Sequence, residues 1–327
     1  MERRLRALLR LAVLKDATDI HFTRRHYDLK IEMRIQEKMY EVKKEAQDMR
    51  LLAYIQYLSG LDVGNILIPQ TGQFEYEVDG NILSLRYAVI ANANFTNGVL
   101  RILNKKIKLD PYKLSLIEWQ NKCLIEAINK DSGLILFSGA TGSGKTTTLY
   151  SLLKSVKQKK IYTLEDPIEV VNDDFVQISI NEAIGFDYDV GIKQIMRHDP
   201  DIIMIGEIRD EKSARMAIRA ANTGHLVVSS IHATSASGSI SRMLELGVSL
   251  DQLKDVLLLL SYQKMIYSNT HKRLVLYEMM PKEDLDYYFK QGRHLKDHID
   301  INQQLRYFAD KGIINENTLT QRRDMSR

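Results

Sequence analysis

The sequence predicts an α/β protein of two domains, and three observations carry that prediction. A chain of 327 residues and 37.7 kDa exceeds what one hydrophobic core usually organises. In the first hundred residues apolar side chains alternate with polar ones, the mark of half-buried strands. Beyond Pro111 the alternation gives way to continuous apolar runs separated by helical stretches, the pattern of a parallel sheet covered on both faces. The 44% apolar and 27% charged composition excludes a largely disordered chain. Lys+Arg 46 against Asp+Glu 42 leaves only +4, too small an excess to mark a nucleic-acid-coating protein.

The N-terminal MERRLRALLRLAVL reads as an amphipathic helix, because Arg6 and Arg10 interrupt its apolar run and no small-residue cleavage site follows. Its arginines read as a solvated face. Leu29, Ile31, Met33 and Ile35 alternate with Lys30, Glu32, Arg34 and Gln36 as a half-buried strand. MRLLAYIQYLSGLD carries helical spacing with a stop at Gly60. Phe74, Tyr76 and Val78 lead into Asp79-Gly80, and Leu83, Leu85 and Tyr87 resume the alternation, which predicts a hairpin with Arg86 on its other face. NKKIKLDP then marks a linker at 104–112, between a domain at 1–103 and a second at 113–327. In the second domain the apolar runs are Leu134 to Phe137, Ile161 to Leu164, Ile202 to Ile205 and Leu226 to Val228. The longest aliphatic stretch, Val256 to Leu260, is far short of the roughly 20 residues of a bilayer span, so the chain reads as soluble. The last forty-odd residues read as short helices with a frayed QRRDMSR tail. The single cysteine, Cys123, excludes an intrachain disulfide and a multi-thiolate zinc site, and suits a reducing cytosol.

Four segments carry chemistry. Leu134 to Phe137 and Ser138 run into GATGSGKT (Gly139, Ala140, Thr141, Gly142, Ser143, Gly144, Lys145, Thr146), and Thr147 continues a helical pattern. Strand, glycine loop and helix in that order make a phosphate loop: the glycines let backbone N–H groups wrap a phosphate, Lys145 adds a point charge, and Thr146 offers a hydroxyl to Mg2+. Nucleotide binding follows. Ligands in such sheets gather at the carboxyl ends of strands, where three further segments stand. After Leu164, EDPIE offers Glu165, Asp166 and Glu169 to orient water, act as base or reach magnesium, against the plainer reading of a helix cap with surface acids. DPDIIMIGEIRD ends its strand in Gly206-Glu207, an acid for the metal side or the water side, or else for the start of the helix near Asp210. TGHLVVSSIHAT places His232 at the carboxyl end of a strand, on the nucleotide side, while His225 tethers the preceding turn at Gly224.

Taken together, GATGSGKTTTL, LEDPIE, DPDIIMIGEIRD and TGHLVVSSIHAT resemble the Walker A motif, Asp box, atypical Walker B motif and His box of the type II secretion and type IV pilus ATPases, over roughly residues 10 to 280. ATDIHF at Ala17 to Phe22 resembles the ASDIH segment of the same family, with Thr18 in place of serine. The resemblance implies a PAS-like N-terminal domain, a RecA-like ATPase domain, ATP with Mg2+ between them, and a hexameric ring. It makes Glu169 the catalytic glutamate, Glu207 the Walker B acid, and Arg86 and Arg101 the arginines that complete the site. The stretch SLRYAVIANANFTNG departs from the family's arginine-valine-serine pattern. Lacking a longer N-terminal region and a four-cysteine module, the chain is most similar to the compact competence pseudopilus ATPases of Gram-positive bacteria.

That placement implies a cytoplasmic motor, peripheral to the membrane, that acts on a polytopic platform protein to assemble a filament for DNA uptake without touching DNA itself. A pilus-retraction ATPase is the nearest alternative. A RecA-like motor acting on nucleic acid through Lys154, Lys157, Lys159 and Lys160 is another, although those lysines suit a helix C-terminus. A third is a nucleotide-gated scaffold with little turnover.

Overall fold

A computed structural model describes all residues except 27, 36–37, 46–47, 66–67, 93, 104–108, 169, 271 and 316–327. It divides into two compact units, one built on Met1–Lys106 and the other on Ile107–Ile168 with Asn172–Arg327.

The first unit contains α1 (Glu2–Leu14), β1 (Ala17–Arg25), β2 (Asp28–Ile35), β3 (Lys38–Glu41), α2 (Leu51–Leu58), β4 (Gln70–Val78), β5 (Asn81–Ala91) and β6 (Phe95–Ile102). The six strands form one antiparallel sheet in the order β3-β2-β1-β6-β5-β4. Leu5, Leu8, Leu9 and Ala12 of α1 fall at helical spacing and are buried with Ile20 and Phe22 of β1 and Leu85 and Tyr87 of β5. Each such leucine contributes roughly 1.5–3 kcal/mol by leaving water. Asp79 and Gly80 both take positive φ, 52° and 76°, as a two-residue hairpin turn requires. The arginines of α1 do not form one solvated face. Arg4 is buried, with Nε 2.8 Å from Asp48 Oδ1 and Nη2 donating to Lys43 O at 2.8 Å, while Arg10 pairs with Asp79 and Arg6 with Glu2.

The second unit contains α3 (Glu118–Ile128), β7 (Gly133–Ser138), α4 (Lys145–Leu153), β8 (Ile161–Glu165), β9 (Val176–Ser179), α5 (Tyr188–Ile195), β10 (Ile202–Ile208), α6 (Glu211–Asn222), β11 (Leu226–Ile231), α7 (Ala236–Glu245), α8 (Leu250–Val256), β12 (Leu257–Tyr267), β13 (Arg273–Pro281), α9 (Lys282–Gln291) and α10 (Ile301–Asp310). The sheet order is β13-β12-β7-β11-β10-β8-β9, parallel throughout except where β13 runs against β12. The four apolar runs become β7, β8, β10 and β11, buried on both faces. The α/β class and the mostly parallel sheet expected from the sequence are therefore present. Strand β12 escapes the sequence reading because Ser261 and Gln263, both fully buried, interrupt the aliphatic run with polar side chains, and its antiparallel partner β13 escapes with it. After them α9 and α10 are short helices, and the QRRDMSR tail lies outside the described residues. No helix among the described residues is long and apolar enough to cross a membrane.

Two features of the first unit set its stability. Gly98 on β6 lies under the buried Tyr87 ring, and a Cβ there would overlap the Tyr87 hydroxyl. Gly98→Ala is expected to destabilise the unit by about 1–3 kcal/mol, as overpacking does, read as an earlier urea midpoint. Asp19 Oδ1 accepts from Arg101 Nε at 2.7 Å, and Thr18 Oγ1 donates to Asp19 Oδ2 at 2.7 Å. Burial opposes ionisation of Asp19, but these hydrogen bonds outweigh it and hold its pKa below the usual carboxylate value. A depressed folded pKa gives stability that is complete above the unfolded value of about 3.9 and is lost as pH falls through the folded value. Asp19→Asn is expected to cost about 1–3 kcal/mol near neutral pH. In paired urea melts its gap to wild type should close as the wild-type carboxyl protonates below pH ~4.

Candidate functional site

The site grows from the turn between β7 and α4. Gly139, Gly142 and Gly144 take φ of 144°, 78° and 91°, so the chain leaves the strand, curls and enters the helix through conformations that side chains with a Cβ rarely adopt. Gly139 also lies against the Gln263 carbonyl of β12, leaving no room for a Cβ. Gln263 Nε2 donates to Ser143 O at 2.8 Å and fixes the loop from that side. Ala140, Thr141 and Gly142 are exposed at the tip. Lys145 Nζ donates back to Gly139 O at 2.8 Å and Ala140 O at 3.2 Å, so its ammonium stands over the loop. Thr146 and Thr147, half-buried, follow in the first turn of α4. The Ser143 hydroxyl is buried with no hydrogen-bond partner among the described residues. Left-handed glycines, a helix start, a cation over the loop and an orphaned donor together fit a bound phosphate chain, and Thr146 offers the hydroxyl that a phosphate-bound Mg2+ takes.

Three neighbouring strand ends add charge. At the end of β10, Glu207 Oε1 lies 2.7 Å from His232 Nε2, just past the end of β11, and Glu207 Oε2 accepts from Arg209 Nε at 2.8 Å. Arg209 Nη1 reaches Asp166 Oδ2, after β8, at 3.7 Å. Glu207, Arg209, His232 and Arg242 of α7 line a cleft of about 230 Å3. Ser229 and Ser230 of β11 donate to Ile205 O and Gly206 O at 2.7 and 2.8 Å, which locks the two strand ends together. His225 stays apart, its Nδ1 3.2 Å from Ala220 O at the end of α6, as a tether of the turn.

The acids after β8 divide. Glu165 is buried and accepts from Tyr150 Oη and Thr163 Oγ1, each at 2.6 Å, whereas Asp166 is exposed beside Arg209. Burial first, and then the Glu165 carboxylate, push the Tyr150 phenol well up, so it remains a donor. Glu169 lies outside the described residues. Arg86 and Arg101 belong to the first unit, where they face each other across β5 and β6, and Asp19 on β1 is the other cross-strand neighbour of Arg101.

Sequence reasoning missed Arg209, Arg242, Gln263 and Tyr150. Only Arg209 carried a signal, since two residues from Glu207 at a strand end returns to the same face.

A glycine loop at the carboxyl end of a central parallel strand, flanked by charged ends of the neighbouring strands, defines a phosphate-loop α/β protein. The chain belongs to the family described as type II/IV secretion system protein, whose model matches residues 1–300. It is 37% identical over 265 residues to the competence protein ComGA of Bacillus subtilis, covering 79% of this chain and 74% of that one. It is 35% identical over 251 residues to type II secretion system protein E of Pseudomonas aeruginosa, covering 75% and 50%. The solved pilus retraction motor PilT with bound ADP superposes with a TM-score of 0.78 at 25% identity, covering 97% of this chain and 96% of that one. The ATPase DotB of Legionella pneumophila shares the fold, with a TM-score of 0.76 at 19% identity over 98% and 95%. The resemblance read from the four motifs is borne out.

Tyr150→Phe removes one of the short hydrogen bonds to buried Glu165 and is expected to cost about 1–3 kcal/mol. Thermal melts of the variant beside wild type check this.

Proposed function

We propose that the chain is an ATP-hydrolysing motor of the competence branch of this family, powering assembly of a pilus-like filament for DNA uptake. The observation that carries the proposal is the cleft at the strand ends, where Glu207, held by Arg209 and His232, stands at the same sheet edge as the glycine loop and Lys145. Kinship with competence proteins at 37% and 38% identity supports the branch, and the ADP of the PilT structure supports the nucleotide.

Phosphoryl transfer to water rests mainly on positioning and charge neutralisation. The loop amides, Ser143 and Lys145 hold the β- and γ-phosphates. Thr146 would hold Mg2+, with Glu207 or Asp166 supporting it through water, and the ion supplies positive charge to the phosphate oxygens. Glu169 takes the proton of the attacking water as the bond to ADP breaks. Arg209 and His232 keep Glu207 in place, and Arg242 adds a second guanidinium to the cleft lining, suited to a polyanion. Arg101 and Arg86, on the domain at 1–103, offset the charge that develops on the leaving phosphate. The linker at 104–112 joins that domain to the ATPase domain at 113–327.

With a site divided between domains, closure completes it and product release reopens it, so turnover drives domain motion. The working form is a ring, a hexamer in this reading, at the cytoplasmic face of the membrane, and its partner is a polytopic platform protein. Pilus retraction, the activity of the PilT motor, is the alternative. The higher identity to competence chains favours assembly.

Mg-ATP turnover per chain, measured against protein concentration with mass read alongside, tests the proposal. Specific activity is expected to rise as a ring assembles, Lys145→Ala to reduce phosphate release to background, and Arg101→Ala to assemble while losing at least ~10-fold in turnover. Flat activity from a monomer, unaffected by Arg101→Ala, would remove the divided site. No turnover in any assembled state would leave a nucleotide-gated scaffold.

A further inference from the structure

A second cluster of titratable side chains lies in the C-terminal helical region. Asp284, in the first turn of α9, has a side chain only 5% exposed. Its Oδ1 accepts from Leu295 N at 3.1 Å, and its Oδ2 faces two imidazoles, with His298 Nδ1 at 2.9 Å and His294 Nδ1 at 3.7 Å. The two rings stack with centroids 3.9 Å apart and planes 17° off parallel, and Tyr288 of α9 covers the His294 ring at 5.0 Å. His298 Nε2 points toward Glu278 of β13, whose Oε1 is 3.9 Å away and accepts from Ala236 N at 3.1 Å. The His298 side chain is 8% exposed. His294 Nδ1 and His298 Nε2 are both buried with no hydrogen-bond partner among the described residues.

A buried His294 Nδ1 that finds no hydrogen-bond partner among the described residues, beside a buried carboxylate, is costly in an all-protein arrangement, and a metal bond would satisfy it. A tetrahedral metal with bonds of about 2.0–2.1 Å to nitrogen and oxygen separates its ligand atoms by about 3.3 Å. The carboxylate-to-imidazole separations of 2.9 and 3.7 Å bracket that value, and the two rings, stacked at 3.9 Å, must swing apart for both nitrogens to turn to one ion. Glu278, on the far side of the His298 ring, stands where carboxylates that orient metal-bound histidines stand. Two imidazoles and one carboxylate with no thiolate suit Zn2+ and its first-row neighbours, not Mg2+ or Ca2+. In the sequence the two histidines read H-x3-H, a spacing common in zinc sites.

We propose that Asp284 Oδ2, His294 Nδ1 and His298 Nδ1 bind one zinc-class divalent ion, with water in the fourth position, and that the ion clamps segment 292–300 onto α9 and β13. The site is separate in its residues from the phosphate loop and needs no nucleotide. The order of α10, which starts at Ile301, then depends on the clamp.

The test uses the untagged full chain after chelator dialysis, titrated with Zn2+ by calorimetry, with Mg2+ as control and Co2+ as spectroscopic probe. Wild type is expected to take one Zn2+ per chain with a rise in melting temperature, and to give a tetrahedral Co2+ absorption band. His294→Ala, at a half-exposed ring that folding tolerates, should weaken Zn2+ at least ~100-fold and abolish the band, with the apo melting temperature unchanged. Asp284→Asn, which keeps the bond to Leu295 N, should weaken binding by a similar factor. Lys145→Ala should leave the stoichiometry at one. Absence of binding to wild type, or equal binding by wild type and His294→Ala, would overturn the proposal and leave Asp284 as a purely hydrogen-bonding clamp.

Discussion

The turn from β7 into α4 fits only because glycine backbone presses against the Gln263 carbonyl of the adjacent strand β12, at φ values that a side chain would forbid. Much of the second unit follows from this contact. Strand β12 must lie beside β7, which sets the sheet order, and it must carry a buried polar residue where its neighbours carry aliphatics. Gln263 meets the requirement by donating to Ser143 O. The antiparallel β13 then closes β12 from its other side, and the Tyr277 carbonyl of β13 accepts from Gln120 of α3 at 2.7 Å and Gln304 of α10 at 2.6 Å. The loop is thus tied, through one glutamine and one strand pair, to α3 just before it in sequence and to α10 more than a hundred residues beyond it.

The two glutamates at neighbouring strand ends show how environment divides similar groups. Glu165 is buried among neutral donors, Tyr150, Thr163 and Gln177, an arrangement that satisfies a carboxylate and leaves it little to do with solvent. Glu207 opens onto a cleft and is flanked by an arginine and a histidine, one on each oxygen. Its orientation is therefore fixed by a guanidinium and an imidazole that remain near water. Such a carboxylate is positioned without being withdrawn, which is the condition for acting on a ligand that enters the cleft.

In the first unit the antiparallel register places like charges together. Across the sheet run Arg34, Asp19, Arg101, Arg86 and Gln73, each opposite the next. Arg86 beside Arg101 is unfavourable unless an acid offsets it, and buried Asp19 does so from the neighbouring strand. The row is a small store of positive charge beside one carboxylate, and the hydrogen bonds from Thr18 and Arg101 keep Asp19 ionised against its burial.

Local pattern sufficed for much of this architecture. Continuous apolar runs gave β7, β8, β10 and β11, the alternation gave β2 and the β4–β5 hairpin, and the glycine loop was readable because its chemistry is confined to eight consecutive residues. Helix α6 and its stop at Gly224 followed from periodicity and a left-handed glycine, as did the tethering of His225. What depended on distant contacts was not readable. Strand β12 broke the apolar pattern with Ser261 and Gln263, and the Gln263 amide finds its partner only in the Ser143 carbonyl of the distant loop. Arg4 looked like one more surface arginine until Asp48, forty-four residues away, buried it. The grip of Arg209 and His232 on Glu207, and the meeting of Asp284 with two histidines, arise where separate segments converge. The sequence by itself determined the elements and the phosphate loop, since those depend on period, turn chemistry and backbone freedom within a few residues. Only the tertiary structure decided which charges meet, because a pair's energy depends on a distance and a burial that no spacing along the chain encodes.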